Sequence, residues 1–170
     1  WDTVLKTAIS DLEVDLREVN SKLYYINYPI EGSNENLTIA TTRPETMLGD
    51  TAVAVNPKDQ RYKKLVGLNI ILPLVERKIK IISDEYADPE QGTGAVKITP
   101  AHDFNDYEVG VRNKLEILNI FTDDGKINEN APKEFIGLDR FEARKIILKK
   151  LVEKGFFVKE ENIKNKVPYG

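Results

Sequence analysis

The sequence predicts an α+β fold, built as a small and largely antiparallel β-barrel with short peripheral helices. Short segments rich in β-branched residues recur between Pro, Gly, Asn and Asp residues, which is typical of strands. Helical segments are fewer, and they carry recognisable capping residues. Strands and helices do not alternate regularly, which argues against a doubly wound parallel sheet.

The strand predictions rest on β-branched composition and on alternation along the chain. Val53 and Val55 alternate with small neighbours, and Ile79 and Ile81 alternate with polar ones, as in half-buried strands. The same reasoning predicts six strands, over residues 23–26, 37–41, 51–55, 69–72, 78–82 and 94–99.

Three segments carry helix signals. Asn56 followed by Pro57 predicts a short helix through Lys64, because asparagine caps helices and proline suits the first helical position. A second helix is predicted over residues 103–114. The clearest one begins at Asp139, where a capping-box spacing to residue 142 opens an apolar pattern that a glycine ends at residue 155.

Composition restricts the class of protein. The length of 170 residues suits one compact domain, with 41% apolar and 31% charged residues. No cysteine is present, so disulfides, thiolate zinc sites and a cysteine nucleophile are excluded. His102 is the single histidine, which excludes metal sites built from several imidazoles, and no metal site is predicted.

Charge and hydropathy bear on partners and location. The chain has 25 Lys and Arg against 28 Asp and Glu, a net charge of −3. This balance argues against tight autonomous binding of nucleic acid, but it permits binding of an RNA end presented by a larger protein. The sequence has neither an apolar run long enough for a bilayer nor a signal peptide, so a cytoplasmic protein without a membrane partner is expected.

A first polar segment places Thr41, Thr42 and Arg43 at a strand end, followed by a turn at Pro44 and then Thr46. Hydroxyls and a guanidinium at such a junction suit a polar or anionic group, because the amide groups of a helix start also point outward there. The alternative is a polar cap with surface charge.

A second polar segment runs from a glycine turn through a strand into a helix. Lys97 and Thr99 are two residues apart and share one strand face. Asp103 and Asp106 are neighbours in the first helical turn. Helix capping is the alternative role for the aspartates, and a hydrogen-bonded structural role is the alternative for His102. The glycine spacing does not match a nucleotide-binding loop.

A Ser-His-Asp mechanism is not predicted. His102 is the single candidate imidazole base, and the four serines lie in no nucleophile elbow. Any hydrolysis by this chain would therefore use water as the attacking group.

The two polar segments, residues 41–50 and 92–107, resemble the editing insertion of class I aminoacyl-tRNA synthetases for valine, isoleucine and leucine. The resemblance covers almost the whole chain, including residues 1–14 and 137–144. Valyl enzymes typically read Lys-Ile-Thr-Pro-Ala-His-Asp followed by Asn-Asp-Tyr, as this chain does over residues 97–107. Isoleucyl enzymes usually carry His, and leucyl enzymes Met, where Lys97 stands. One departure is Gln91, where the family commonly has Phe.

The resemblance implies an editing hydrolase that removes threonine from the tRNA for valine, with threonyl-adenylate as an additional substrate to consider. It implies water attack without a covalent intermediate and without a cofactor. Asp106 would hold the α-ammonium group of the amino acid, a charge-assisted contact. The implied catalytic residues are Asp106, Lys97 and Asp103, and the implied substrate-binding residues are Thr41, Thr42, Arg43, Thr46, Thr99 and His102.

The resemblance also implies the partners and the domain organisation. The partners are the acceptor 3′ end of the tRNA with its attached amino acid, and the rest of the synthetase chain in cis, in a monomer. Residues 1–170 form a single editing domain, in which residues 1–36 and 156–170 would make the stalk that connects it to the synthetase body.

Two alternatives stay open at this point. One is a non-catalytic module that binds the tRNA 3′ end, which Gln91 and the acidic balance favour. The other is an editing domain of isoleucyl specificity, which Lys97 disfavours.

Overall fold

The structure is a computed structural model that describes residues 22–163. The strands are β1 (Lys22–Pro29), β2 (Asn36–Thr41), β3 (Ala52–Val55), β4 (Asn69–Ile71), β5 (Lys78–Ser83), β6 (Val96–Ile98) and β7 (Phe157–Asn162). The α-helices are α1 (Phe104–Arg112) and α2 (Arg140–Glu153). Short 3-10 helices cover Pro44–Gly49, Lys63–Leu65 and Lys133–Phe135.

The strands form two sheets. The first has the order β2-β1-β7, and both of its pairings are antiparallel. The second has the order β4-β5-β3-β6 and is mixed, because β3 and β5 run parallel while the other pairs are antiparallel. β4 lies at the edge of this sheet and pairs antiparallel with β5, the strand that follows it in the chain. β5 lies between β4 and β3, and it runs parallel to β3.

The predicted α+β class is confirmed, but the described strands do not close into one barrel. A single isolated bridge, between Ile30 and Ile70, is the only pairing that joins the two sheets within residues 22–163. Closure of a barrel requires a continuous ladder around the sheet. The architecture over these residues is therefore two sheets of three and four strands rather than a largely antiparallel barrel.

The larger of the two buried clusters contains residues of both sheets and of α2, and the smaller one lies beside α1. Ile26 and Tyr28 of β1 alternate with partly exposed neighbours, so one face of the strand is buried. Ala143, Ile147 and Leu151 of α2 are fully buried and are spaced four residues apart, so they share one helix face. This face packs on the Pro44–Gly49 turn and fixes it in place.

All six predicted strands are present, and so are two of the three predicted helices. Asp103 caps α1 by accepting the Asp106 amide hydrogen, and Asp139 and Glu142 form the predicted capping box of α2. Gly155 follows α2 with a φ of 83°, a backbone conformation that favours glycine.

The predicted helix from Asn56 to Lys64 is wrong. This segment forms turns and then the short 3-10 helix Lys63–Leu65. The Asn56 side chain accepts a hydrogen bond from the Lys58 amide, and Asp59 accepts one from the Arg61 amide. Such local side-chain bonds stabilise turns in competition with a helix.

The two segments predicted as a stalk contribute neighbouring strands. β1 and β7 pair, with Lys22 opposite Asn162. Residues 1–21 and 164–170, which include the residues 1–14 that resemble a connecting strand, lie outside the described residues. The stalk role itself stays a prediction. No helix within residues 22–163 is both long enough and apolar enough to cross a membrane.

Candidate active site

A cavity of about 280 Å³ lies between β2, the Pro44–Gly49 turn, β6 and the start of α1. All nine predicted site residues line it: Thr41, Thr42, Arg43, Thr46, Lys97, Thr99, His102, Asp103 and Asp106. The two polar segments are thus brought together, although about fifty residues separate them along the chain. The fold also adds four lining residues that the sequence did not suggest: Leu23, Ala40, Tyr86 and Val96.

Lys97 lines the cavity, and its ammonium group is almost fully buried. The side chain is 7% exposed, and its Nζ lies 2.7 Å from Thr46 Oγ1 and 2.7 Å from Thr99 Oγ1. The same Nζ lies 2.9 Å from Asp50 Oδ1. The predicted sharing of one strand face by Lys97 and Thr99 is therefore observed as a direct hydrogen bond.

Asp50 is a buried neighbour of Lys97 that the sequence interpretation did not single out. Its side chain is 0% exposed, and it accepts hydrogen bonds from Thr99 Oγ1 at 2.7 Å and from the Tyr28 hydroxyl at 2.6 Å. Burial raises the pKa of this carboxyl, while Lys97 and the hydroxyl donors act in the opposite direction. Only the folded structure shows that a charge at the end of the first polar segment turns inward to meet Lys97.

Asp106 is 6% exposed but faces the cavity. Its Oδ2 accepts the Thr99 amide hydrogen at 2.9 Å, and its Oδ1 accepts the Tyr86 hydroxyl at 3.2 Å. Burial is the main cause that raises the pKa of this carboxyl. A carboxylate offers about four acceptor positions, so capacity for a cationic ligand remains after these two bonds.

Asp103 is exposed at the cavity edge and caps α1, with Oδ1 3.0 Å from the Asp106 nitrogen. Helix capping, the alternative role considered for this aspartate, is therefore observed for Asp103 Oδ1. Capping also orients Asp106, because it fixes the first turn of the helix that carries it.

Arg43 ties the two polar segments together. Its Nη1 donates to the His102 carbonyl at 3.1 Å, and its backbone amide donates to Thr41 Oγ1 at 3.0 Å. Burial lowers the pKa of the guanidinium, which stays a cation because arginine starts from a very high value. The cavity therefore has a second fixed positive group besides Lys97.

His102 is held as a neutral imidazole. Its Nε2 accepts the Ile120 amide hydrogen at 2.9 Å, and its ring meets the Phe121 ring edge-on with centroids 4.7 Å apart. Burial, with smaller effects of Arg43 and Lys97, lowers the pKa of His102 to about 4. A neutral imidazole has one acceptor nitrogen, and the backbone occupies it here. His102 is thus poorly suited to act as a general base.

Two further features of the segment bear on ligands. Gln91 is exposed in the turn before Gly92 and is not among the residues that line the cavity. Over residues 22–163, no group of three or more His, Asp or Glu side chains has an arrangement that could hold a metal ion.

Comparison with known proteins gives the family. A family model described as the leucyl-tRNA synthetase editing domain matches residues 60–138. The valine–tRNA ligase of Pelagibacter ubique is 79% identical over 100% of this chain, and that of Carboxydothermus hydrogenoformans is 60% identical over 98%. The chain spans about a fifth of the length of these relatives, 19% in each case.

A solved structure supports the fold. It is the LeuRS of Agrobacterium radiobacter K84 agnB2, in a ternary complex with tRNA and LeuAMS, with a TM-score of 0.66 and 20% sequence identity. The match covers 84% of this chain and 20% of that one. This structure shows the fold alone. The family model and the matches to valine–tRNA ligases show that this chain belongs to the valyl-tRNA synthetase family, as its editing domain.

Proposed function

We propose that this chain hydrolyses the ester of threonyl-tRNA for valine, and that it accepts threonyl-adenylate in the same cavity. The carrying observation is that a buried carboxylate with spare acceptor positions, Asp106, shares one cavity with the polar cluster of Lys97, Thr46 and Thr99. An aminoacyl ester of threonine has a cation and a hydroxyl that match these two features.

Asp106 would bind the α-ammonium group. Its bond to Tyr86 is the longer of its two hydrogen bonds, 3.2 Å against 2.9 Å, so Oδ1 is the oxygen that an ammonium would engage. A charge-assisted hydrogen bond of this kind is roughly twice as strong as a neutral one. It would fix the scissile carbonyl, which lies two bonds from the amino nitrogen.

The polar cluster would bind the threonine hydroxyl. Valyl enzymes are a known example of the limit on selection by shape, since their apolar synthetic pocket rejects threonine by only about a hundredfold. A second site that needs the hydroxyl reverses the preference, because a valine methyl there leaves polar groups unpaired. Thr46 and Thr99 are 3% and 1% exposed, so leaving either oxygen unpaired carries the cost of an unsatisfied buried polar group.

The chemistry requires water and no covalent intermediate. Water oxygen adds to the ester carbonyl carbon, the bond to the terminal ribose oxygen breaks, and a proton passes to that oxygen. His102 has its acceptor nitrogen occupied, so we assign proton transfer to the neighbouring ribose hydroxyl of the substrate. The protein contributes position and charge, which are major sources of rate enhancement.

The proposed partner is the acceptor 3′ end of the tRNA, presented by a longer synthetase chain. With a net charge of −3, the domain would bind tRNA weakly by itself. The hydroxyls of Thr41 and Thr42 lie at the cavity and would contact the terminal adenosine, while Arg43 would line the threonine pocket.

The test is a deacylation assay on tRNA for valine carrying either threonine or valine. We expect release of threonine and retention of valine. Binding of the tRNA without any release would show a non-catalytic module, and preferential release of valine from tRNA for isoleucine would show isoleucyl specificity. Either result would refute the proposal.

A further inference from the structure

The hydrogen bonds around Lys97 have directions that its chemistry determines. An ammonium group only donates, and an ionised carboxylate only accepts. Lys97 therefore donates to Thr46 Oγ1, Thr99 Oγ1 and Asp50 Oδ1, at 2.7, 2.7 and 2.9 Å. These three contacts use all three of its N–H bonds.

The two threonine protons are committed as well. Thr99 Oγ1 lies 2.7 Å from Asp50 Oδ1 and must be the donor in this pair. Thr46 Oγ1 lies 3.0 Å from the Arg43 carbonyl oxygen and must donate there. Each threonine oxygen also accepts one bond from Lys97, so each retains one lone pair. The cluster offers acceptors to the cavity and no free donor.

We propose that Asp50 is a positioning residue for substrate selection. Because Asp50 accepts hydrogen bonds from Lys97 and Thr99, neither has a proton left for the substrate. A side-chain hydroxyl can therefore bind only as a hydrogen-bond donor to Thr46 or Thr99. This inference rests on the proposed function and deepens it. The ligand class is an aminoacyl ester with a proton-bearing group on its β-carbon. A methyl group in that place satisfies neither lone pair.

The substitution Asp50→Asn tests the proposal, because asparagine keeps the size and one acceptor oxygen but removes the charge. We expect the ratio of kcat/KM for threonyl over valyl ester to fall by about tenfold or more, the effect of one charge-assisted hydrogen bond. The loss should appear in kcat/KM for the threonyl ester, whereas kcat/KM for the valyl ester should change little, because only threonine has the hydroxyl that the cluster selects.

A matched control is Asp59→Asn. Asp59 is also buried and also bonded to a cation, Arg61 Nη2 at 2.8 Å, but it does not line the cavity. This variant should lower thermal stability and leave the threonine-to-valine ratio unchanged. If Asp50→Asn also leaves the ratio unchanged while the parent chain releases threonine, the inference is wrong and the proposed function stands. A parent chain that releases no threonine refutes the proposed function instead.

Two measurements on the unchanged chain keep the proposal testable if Asp50→Asn does not fold. An ester of 2-amino-3-fluorobutanoate carries fluorine in place of the hydroxyl and has no proton to donate, so it should be released as slowly as the valyl ester. Release at the threonyl rate would overturn the proposal. In nitrogen-15 NMR spectra, the fully bonded Lys97 ammonium should exchange with water slowly enough to be observed at neutral pH, and rapid exchange would overturn the proposal too.

Discussion

Replacing Asp106 with asparagine should separate activity from stability. Asparagine has the same shape and keeps one acceptor oxygen, whereas alanine would also remove the bonds to the Thr99 amide and the Tyr86 hydroxyl. Asp106→Asn removes the charge-assisted hydrogen bond to the substrate's α-ammonium group, which costs about 1.5–3 kcal/mol of binding free energy. We therefore expect kcat/KM for threonyl-tRNA to fall by about ten- to hundredfold, at roughly 1.4 kcal/mol for each factor of ten.

Stability should change little in the same variant. Burial raises the pKa of Asp106, so folding disfavours its ionised form, and removing the charge offsets part of the lost hydrogen bond. One neutral hydrogen bond contributes about 1 kcal/mol. In a chain of this length, that corresponds to a change in Tm of about 2–4 °C at most. Scanning calorimetry beside the deacylation assay measures both quantities.

The sign of the pH dependence follows from the same carboxyl. The ionised form of Asp106 binds the ammonium group, so activity is lost as the pH falls through its raised pKa, above the ordinary value of 3.8. The acid limb should disappear in Asp106→Asn. Asp59→Asn is the control, because Asp59 is also buried but pairs with Arg61 and does not line the cavity. Equal kcat/KM in Asp106→Asn and the parent would refute the role of Asp106.

Three further predictions follow from the structure. The His102 imidazole should titrate near pH 4 in NMR spectra of the folded chain. The free energy of unfolding should therefore decline as the pH falls from 6.5 toward 4, because the unfolded chain binds the proton first. A midpoint near 6.5 would contradict the burial of His102 and its bond to Ile120. Glu45→Gln should lower the free energy of unfolding in urea by about 3 kcal/mol, because it breaks a fully buried carboxylate's bidentate pair with Arg144, whereas Glu160→Gln at the exposed pair with Lys22 should change it by less than about 1 kcal/mol. Gly110→Ala should lower Tm, since the new Cβ would lie 3.0 Å from Pro100 Cβ and Cγ, and this crowding exceeds the gain of about 1 kcal/mol from helix propensity; a higher Tm would show that Pro100 moves aside.

Local patterns predicted the elements of this fold better than their arrangement. The β-branched segments and the capping box of Asp139 and Glu142 act over a few residues, and both are present in the structure. The parallel pairing of β3 with β5 depends on where β4 goes after the chain leaves β3, and no local pattern contains that information. The Asn56 error arose from a residue that suits helix caps and turns alike.

The candidate site shows the same division. The two polar segments were singled out from residue types and spacing, and the family resemblance implied which of their residues form the site. The fold brings all of these residues to one cavity. Asp50 and Tyr86 were missed because each acts through a partner distant in sequence, Lys97 for Asp50 and Asp106 for Tyr86. Their roles, like those of the other site residues, stay predictions until the variants are measured.

The pairing of β1 with β7 has a consequence for any longer chain that contains this domain. Lys22 and Asn162 lie opposite each other, so the described segment enters and leaves along adjacent strands about 5 Å apart. For the flanking sequence, the folded segment therefore acts like a tight hairpin. Folding of the domain itself supplies the free energy that closes this loop of some 140 residues, so the flanking sequence does not have to. Synthetase residues on either side could then pack together as though the segment were a short surface turn.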